Sequence, residues 1–364
     1  MIPLIVDAHE DLAWNVLTFG RDYRLSAAET RLNEIYGEAP AHNGDTLLGW
    51  PDYQIGRVVI VFGTLFVAPA RRRSGDWDTQ CYLNDNHASI LYRAQVDVYR
   101  HWTEDNPELF RLVLTKADLL QTLSDWEKSE KKGHPVGLVI SMEGAEGVRS
   151  PAELEEWWQY GVRLIGPAWA GTRFCGGTRE PGPLTPQGYA LLDGMAELGF
   201  TLDVSHMDEQ AVLQSLDYYP GSIVATHANV QALLKGLDSN RHLSDRVLRG
   251  LIERGGVIGV VPFNAFLKVG WKSGDRREAI SLDDLVAHID YICQLAGNAC
   301  HAGLGSDFDG GFGVQSTPAD FDTIADLQKI IPLLEKKGYT EEDIAAIMGL
   351  NWVAHLQRSL PEKP

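Results

Sequence analysis

The stretch Ile2-Pro-Leu-Ile-Val-Asp-Ala-His-Glu-Asp11 opens the chain with a short apolar run that passes straight into polar chemistry. Residues 2–6 are apolar and rich in β-branched side chains, a pattern that predicts a buried strand. His9 and Asp11 follow at i and i+2, and extended backbone turns two such side chains to the same side. An imidazole and a carboxylate aimed together from the end of a buried strand suit a divalent cation.

The same sentence of residues, a buried strand closed by polar groups, repeats along the chain. Gly56-Arg-Val-Val-Ile-Val-Phe-Gly-Thr-Leu-Phe-Val-Ala-Pro69 reads as a second buried strand. Further apolar strand candidates fall at 137–142, 161–166, 199–204, 221–225, 255–262 and 302–305. Helical spacing runs through 82–126 and separates the later strands at 151–160, 186–198, 208–218, 244–254 and 281–296. Ser281-Leu-Asp-Asp284 and Thr340-Glu-Glu-Asp343 resemble capping boxes, and Gly161, Gly199 and Gly255 stand where helices give way to strands. Eight βα units in series favour a closed parallel barrel, the α/β fold of the (β/α)8 TIM type, over an open doubly wound sheet. No glycine-rich phosphate fingerprint follows any of the strands, which counts against a dinucleotide-binding fold. Residues 20–55 read as a long irregular loop after the first strand, and Arg71-Arg72-Arg73 as a solvated loop. Without a linker or low-complexity break, residues 1–364 are expected to form one domain.

Composition narrows the partners. The chain is 44% hydrophobic and 23% charged, ordinary for a protein with a sizeable core. Its net charge of −18 argues against nucleic acid and anionic membrane surfaces, both of which select for basic patches. Cys81, Cys175, Cys293 and Cys300 lack CxxC spacing and are expected as reduced thiols. With no basic n-region and apolar h-region before the first strand, and no long apolar run, the expected location is cytoplasmic, without a membrane span.

In such a barrel the chemistry gathers where strands end. The first strand gives His9 and Asp11, and the third ends in Glu143. The fifth and sixth end in His206 and His227, and the eighth in Asp307 and Asp309. Each has an ordinary reading as a helix cap, a turn residue or a packed histidine. Three of the 11 histidines on one edge of one barrel, together with these acids, are harder to explain that way. A set of five such nitrogen and oxygen ligands, one of them able to bridge, is the makeup of a two-metal hydrolytic site.

With those residues in place, the chain resembles the renal (membrane) dipeptidase family of zinc peptidases, a branch of the amidohydrolase-like barrels. The matching segments are Asp7-Ala-His-Glu-Asp-Leu12, Asp78-Thr-Gln80, Met142-Glu-Gly144, Gly161-Val-Arg163, Asp203-Val-Ser-His206, Thr226-His-Ala-Asn229, Asn240-Arg-His-Leu-Ser-Asp245 and Gly305-Ser-Asp-Phe-Asp-Gly310. The resemblance implies two zinc ions, one on His9 and Asp11, the other on His206 and His227, with Glu143 bridging. It further implies that Asp307 moves the proton, that Arg241 pairs with the substrate's carboxylate, and that the protein forms a homodimer. Chemically this is consistent: two cations acidify a shared water for attack on an amide, a carboxylate carries the proton, and a guanidinium fork suits a carboxylate.

Two departures stand out. Where the family places a carbonyl-polarising histidine after the fourth strand, Leu164-Ile-Gly-Pro-Ala-Trp169 presents Trp169. The run from His227 to Arg241 is also a few residues longer than in the family. That leaves open whether Arg241 reaches the substrate or lies on the surface before the helix cap Ser244. The leading expectation is a zinc-dependent dipeptidase acting on a small-molecule amide. A second reading keeps the metals and changes the bond to another amide, an ester or a lactone. A third, from a different class, is a non-catalytic metal-binding or ligand-binding barrel; the presence of Asp307 counts against it.

Overall fold

The computed structural model describes residues 3–128 and 133–363. The beginning of the expected first strand, Ile2, lies outside them. Eight parallel strands follow one another around a barrel: β1 (Ile5–Glu10), β2 (Val58–Phe66), β3 (Val136–Glu143), β4 (Val162–Gly166), β5 (Thr201–Asp203), β6 (Ile223–Val224), β7 (Ile258–Val260) and β8 (Ala302–Leu304). Registers carry the ring around, with Val6 opposite Ile60, Val61 opposite Leu138, Met142 opposite Ile165 and Leu202 opposite Ile223. Gly259 pairs with Gly303, and Asp7 with Leu304 returns the ring to β1.

The remaining seam, between β6 and β7, is held by a single bridge from Ala225 to Ile258. There the Gly259 N–H donates to the Ala225 carbonyl at 2.8 Å. The seam needs glycine: a Cβ on Gly259 or Gly305 would lie 1.9 or 1.8 Å from the Thr226 carbonyl oxygen. The barrel is therefore eight-stranded, parallel and nearly closed, consistent with the TIM architecture. The strands are apolar on both faces because helices cover the outside and side chains fill the inside.

Helices recur between strands as the periodicity predicts, including Pro186–Leu198, Glu209–Tyr218, Asp245–Glu253 and Leu282–Ala296. The two capping boxes form: the Asp284 carboxylate accepts from the Ser281 N–H at 2.8 Å, and Thr340 Oγ1 from the Asp343 N–H at 3.1 Å. The stretch 82–126 is two helices, Asp85–Asp105 and Lys116–Glu127, parted by a short strand, Phe110–Leu112, that pairs with the start of β3.

The expectation of an irregular 20–55 loop needs correction. It holds three helices, Ala27–Asn33, Ala39–His42 and Trp50–Gly56. They are too short to show a helical period, although Ser26 and Glu29 form a capping box at the first. The four cysteines are free thiols, and no described helix is long and apolar enough to cross a membrane.

Candidate metal centre and its pocket

His9 sits within β1 and Glu143 is the last residue of β3. Asp11 directly follows β1, and His206, His227 and Asp307 each come three residues after the end of β5, β6 and β8. Parallel strands that all point one way deliver these six side chains to one end of the barrel, where they meet. His206 Nε2 lies 2.9 Å from Glu143 Oε1, and His227 Nε2 lies 3.5 Å from the same oxygen. His9 Nε2 is 3.5 Å from Glu143 Oε2, 3.8 Å from Asp11 Oδ2 and 3.9 Å from Asp307 Oδ1.

Backbone strain marks the same place. His206 and Asp307 adopt left-handed φ of 64° and 57°, as Arg179 and Asp309 do nearby at 64° and 61°. Residues in this region cost free energy and persist where surroundings over-determine them, commonly at functional sites. Gly310 is required by the acids: a Cβ there would lie 2.0 Å from Asp307 Oδ1 and 2.9 Å from Asp11 Oδ2.

Each imidazole is held from behind by a threonine. Thr64 Oγ1 stands 3.3 Å from His9 Nδ1, Thr178 Oγ1 2.9 Å from His206 Nδ1, and Thr226 Oγ1 2.9 Å from His227 Nδ1. Asp203 fixes His227 through its neighbours. It accepts from Ser205 Oγ at 2.8 Å, from the Thr226 N–H at 3.0 Å and from Thr226 Oγ1 at 2.5 Å. Ser205 Oγ in turn accepts from the His227 N–H at 3.1 Å. Such partners behind a ligand set ring orientation and tautomer.

Whether cations fit can be judged from the donor set. His206 Nε2 and His227 Nε2 lie 3.0 Å apart, and two imidazole lone pairs at that distance repel unless a proton or cation lies between them. Burial, with Arg241 next, holds His206 down to about 4, and burial with the charge of His9 holds His227 well below its usual range. Both rings are therefore neutral near pH 7, the form that ligates. Burial works against the Glu143 charge, yet contact with His206 and the other rings keeps this carboxyl well below its ordinary value. His9 Nε2 and Asp11 Oδ1 are buried without a hydrogen-bond partner among the described residues. His9, Glu143 and His227 form one group with ligand atoms within 4.8 Å of one another, and His9, Asp11 and Asp307 form another. The residues fit a divalent-metal centre.

A cavity of about 440 Å3 opens onto the centre. Arg241 lines it and is 4% exposed, so it is not the surface arginine that the longer preceding run allowed. Its Nη2 donates to the His227 carbonyl at 2.7 Å, its guanidinium lies 5.2 Å from the Phe266 ring centre, and its Nε and Nη1 have no hydrogen-bond partner among the described residues. Trp169 forms the wall beside His206 at 6.3 Å between ring centres, edge-on to Phe66 at 5.2 Å. Asp307 also lines the cavity. Burial first, with the charges of Asp11 and Glu143, raises its carboxyl well above the usual range against the pull of His9 and Arg241.

Asp309, which the sequence put on the same edge, faces elsewhere: it is fully buried against Arg21, Tyr23 and Thr46 of the loop after β1. Sequence reading missed the threonine partners. Thr226 was legible only as the neighbour of His227, whereas Thr178 reaches His206 from a hairpin 28 residues upstream that carries no motif of its own.

The chain is also similar to known proteins. The family described as membrane dipeptidase (peptidase family M19) matches residues 3–358. A Klebsiella pneumoniae protein from the region 5′ of pqqA is 33% identical over 257 residues, covering 68% of this chain and 88% of its own. A Schizosaccharomyces pombe protein described as an uncharacterized dipeptidase is 30% identical over 287 residues, covering 74% of this chain and 66% of its own. A crystal structure of a Rhodobacter sphaeroides metallopeptidase, liganded with a phosphinate mimic of the dipeptide L-Ala-D-Ala, shares the fold with a TM-score of 0.78. It is 22% identical and covers 99% of this chain and 100% of its own. The chain thus belongs to the membrane dipeptidase family, peptidase family M19, and is a hydrolase of the metallo-dipeptidase kind.

Proposed function

We propose that this protein hydrolyses the amide bond of dipeptides with two divalent cations, zinc in the first instance. His9 and Asp11 would hold one, His206 and His227 the other, with Glu143 between them. The observation that carries this reading is the convergence of three imidazole Nε2 atoms on the Glu143 carboxylate, at 2.9, 3.5 and 3.5 Å. Cations held there supply Lewis-acid polarisation of a carbonyl and a more acidic water.

The chain's own groups do the rest. Arg241, with two guanidinium donors unpaired, grips the substrate's free carboxylate and fixes the register of the amide. Asp307 takes the proton from the attacking water and returns it to the leaving amine, a role that its place in the cavity, 3.9 Å from His9 Nε2, suits. Trp169 and Phe66 form an apolar wall that limits water at the amide. The chain acts as one domain, since its first and last barrel strands pair through Asp7 and Leu304.

A second reading is favoured by one observation, the indole of Trp169 in the wall beside His206, which reshapes the acyl side of the pocket. On that reading the metals stay and the bond is another small amide, an ester or a lactone. Metal-stripped protein reloaded with two equivalents of zinc, assayed on L–L and L–D dipeptides, separates the two. Amino acids released only by the reloaded sample support the dipeptidase reading. Two bound metals without cleavage of any dipeptide remove it and leave the second.

A further inference from the structure

The strands Cys175–Gly177 and Glu180–Leu184 form an antiparallel hairpin over the pocket, turning through Thr178 and Arg179. Arg179 takes φ 64°, a conformation that glycine adopts freely and other L residues rarely. Asn240 holds the turn in this shape. Its Oδ1 accepts from the Arg179 N–H at 2.9 Å, while its Nδ2 donates to the Gly177 carbonyl at 2.9 Å and to Asp208 Oδ2 at 3.0 Å. Because Thr178 supports His206 and Asn240 directly precedes Arg241, the turn is tied to the centre and to the carboxylate-binding loop at once.

What the turn delivers is a free cation. Arg179 is exposed and lines the cavity, and its guanidinium makes no ion pair or hydrogen bond among the described residues. Arg72, at the same mouth, differs: its Nη2 lies 2.8 Å from Glu180 Oε1, and Arg71 Nη2 lies 2.7 Å from Glu180 Oε2. Arg173, behind the hairpin, sits on Glu146 at 3.0 Å. Of the three guanidinium groups lining the cavity, those of Arg241 and Arg179 therefore make no ion pair among the described residues. A simple dipeptide carries one carboxylate.

We infer that Arg179 is a specificity-determining residue that reads a second carboxylate, so that the favoured substrates are dipeptides bearing an aspartyl or glutamyl side chain. The inference rests on the dipeptidase reading and narrows its substrate class. A guanidinium at a pocket mouth distinguishes a carboxylate from its isosteric amide by charge-assisted hydrogen bonds, which are roughly twice as strong as neutral ones.

The test compares acid with amide at constant shape, using Ala-Glu against Ala-Gln and Glu-Ala against Gln-Ala on the zinc-loaded enzyme. One of the acidic peptides should be cut with kcat/KM about tenfold or more above its amide partner. The ratio should fall to near one in Arg179→Gln and stay well above one in Arg179→Lys. Calorimetric titration of the same peptides into Asp307→Asn protein should show the same preference as affinity, again lost when Arg179→Gln is added. Cleavage of Ala-Ala with acid-to-amide ratios near one, or ratios that survive in Arg179→Gln, would overturn the inference while the dipeptidase reading stands. Absence of cleavage on every peptide, Ala-Ala included, would remove both.

Discussion

The guanidinium of Arg21 lies 3.0 Å from Asp309 Oδ2, with neither side chain exposed at all. Around this pair the loop after β1 closes on the end of β8. Tyr23 donates to the same oxygen at 2.7 Å, the Leu47 N–H reaches Oδ1 at 3.1 Å, and Arg21 extends to Glu34 at 2.9 Å and the Gly44 carbonyl at 2.7 Å. Two residues upstream, Asp307 faces the pocket, so one short turn supplies both an acid for the site and an anchor for its surround. Removing one member of a buried pair typically costs about 3–5 kcal/mol. Without Asp309, Arg21 would keep Glu34, but the Tyr23 and Thr46 hydroxyls and the Leu47 N–H would lose their buried acceptor. Asp309→Ala should therefore lose stability of that order in urea denaturation. Zinc bound per folded chain should match the wild type. A wild-type unfolding midpoint with diminished zinc would instead put Asp309 among the ligands.

The threonine partners of the histidines lead to a different outcome, in metal affinity with little change in the fold. Thr178→Val keeps the volume of the side chain but removes the hydroxyl 2.9 Å from His206 Nδ1. Losing such a partner typically costs about 10–100-fold in metal affinity. Competition with a chelator should show that loss for one zinc equivalent, with the circular dichroism spectrum intact. Unaltered zinc release from Thr178→Val would mean that His206 is not a ligand or needs no orientation.

The sequence disclosed the barrel and the edge on which its polar groups meet because both arise from local patterns. A buried run of 137–142 shows its strand, and Glu143 shows its end. It could not disclose which acids turn inward. Asp307 and Asp309 are both left-handed, at 57° and 61°, and only the packing of Arg21, Tyr23 and Thr46 draws the second away from the pocket. Arg241 was ambiguous for the same reason, since its burial depends on His227 and Phe266, which lie 14 or more positions away in the chain. The short helices after β1 escaped because they are held by these long-range contacts more than by a helical period, although the capping box at Ser26 and Glu29 was there to be read.

Asp307 has two roles open to it chemically, and one substitution divides them. Asp307→Asn preserves shape and cannot carry a proton. If Asp307 is the proton carrier, kcat on the best dipeptide should drop by roughly 10²–10⁴ with zinc content unchanged. Its Oδ1 stands 3.9 Å from His9 Nε2, within the group that also contains Asp11. Zinc content that falls together with kcat would therefore make Asp307 a ligand and require the proton to travel by another route.

Outside the lining of the pocket, the buried His288 should give the protein a measurable acid sensitivity. Its Nδ1 accepts the Val230 N–H at 3.0 Å, and burial holds the ring down to about 4 from an ordinary value of 6.5. Folded-state affinity for the proton is thus the weaker one. As pH falls below 6.5 the unfolded chain takes up this proton first, so stability is lost progressively until the folded ring also titrates near 4. A shift of that size is worth at most about 3 kcal/mol, all of it present above pH 6.5 and gone near pH 4. His288→Asn keeps an acceptor for Val230 and removes the titration. Urea denaturation of metal-free protein should show the wild type weakening more steeply than His288→Asn between pH 6.5 and 4, with the two curves parallel above that window. Parallel curves throughout would mean that the folded ring takes up its proton at the ordinary value of 6.5, as it does in the unfolded chain. In that case the Val230 N–H would need another acceptor below that pH.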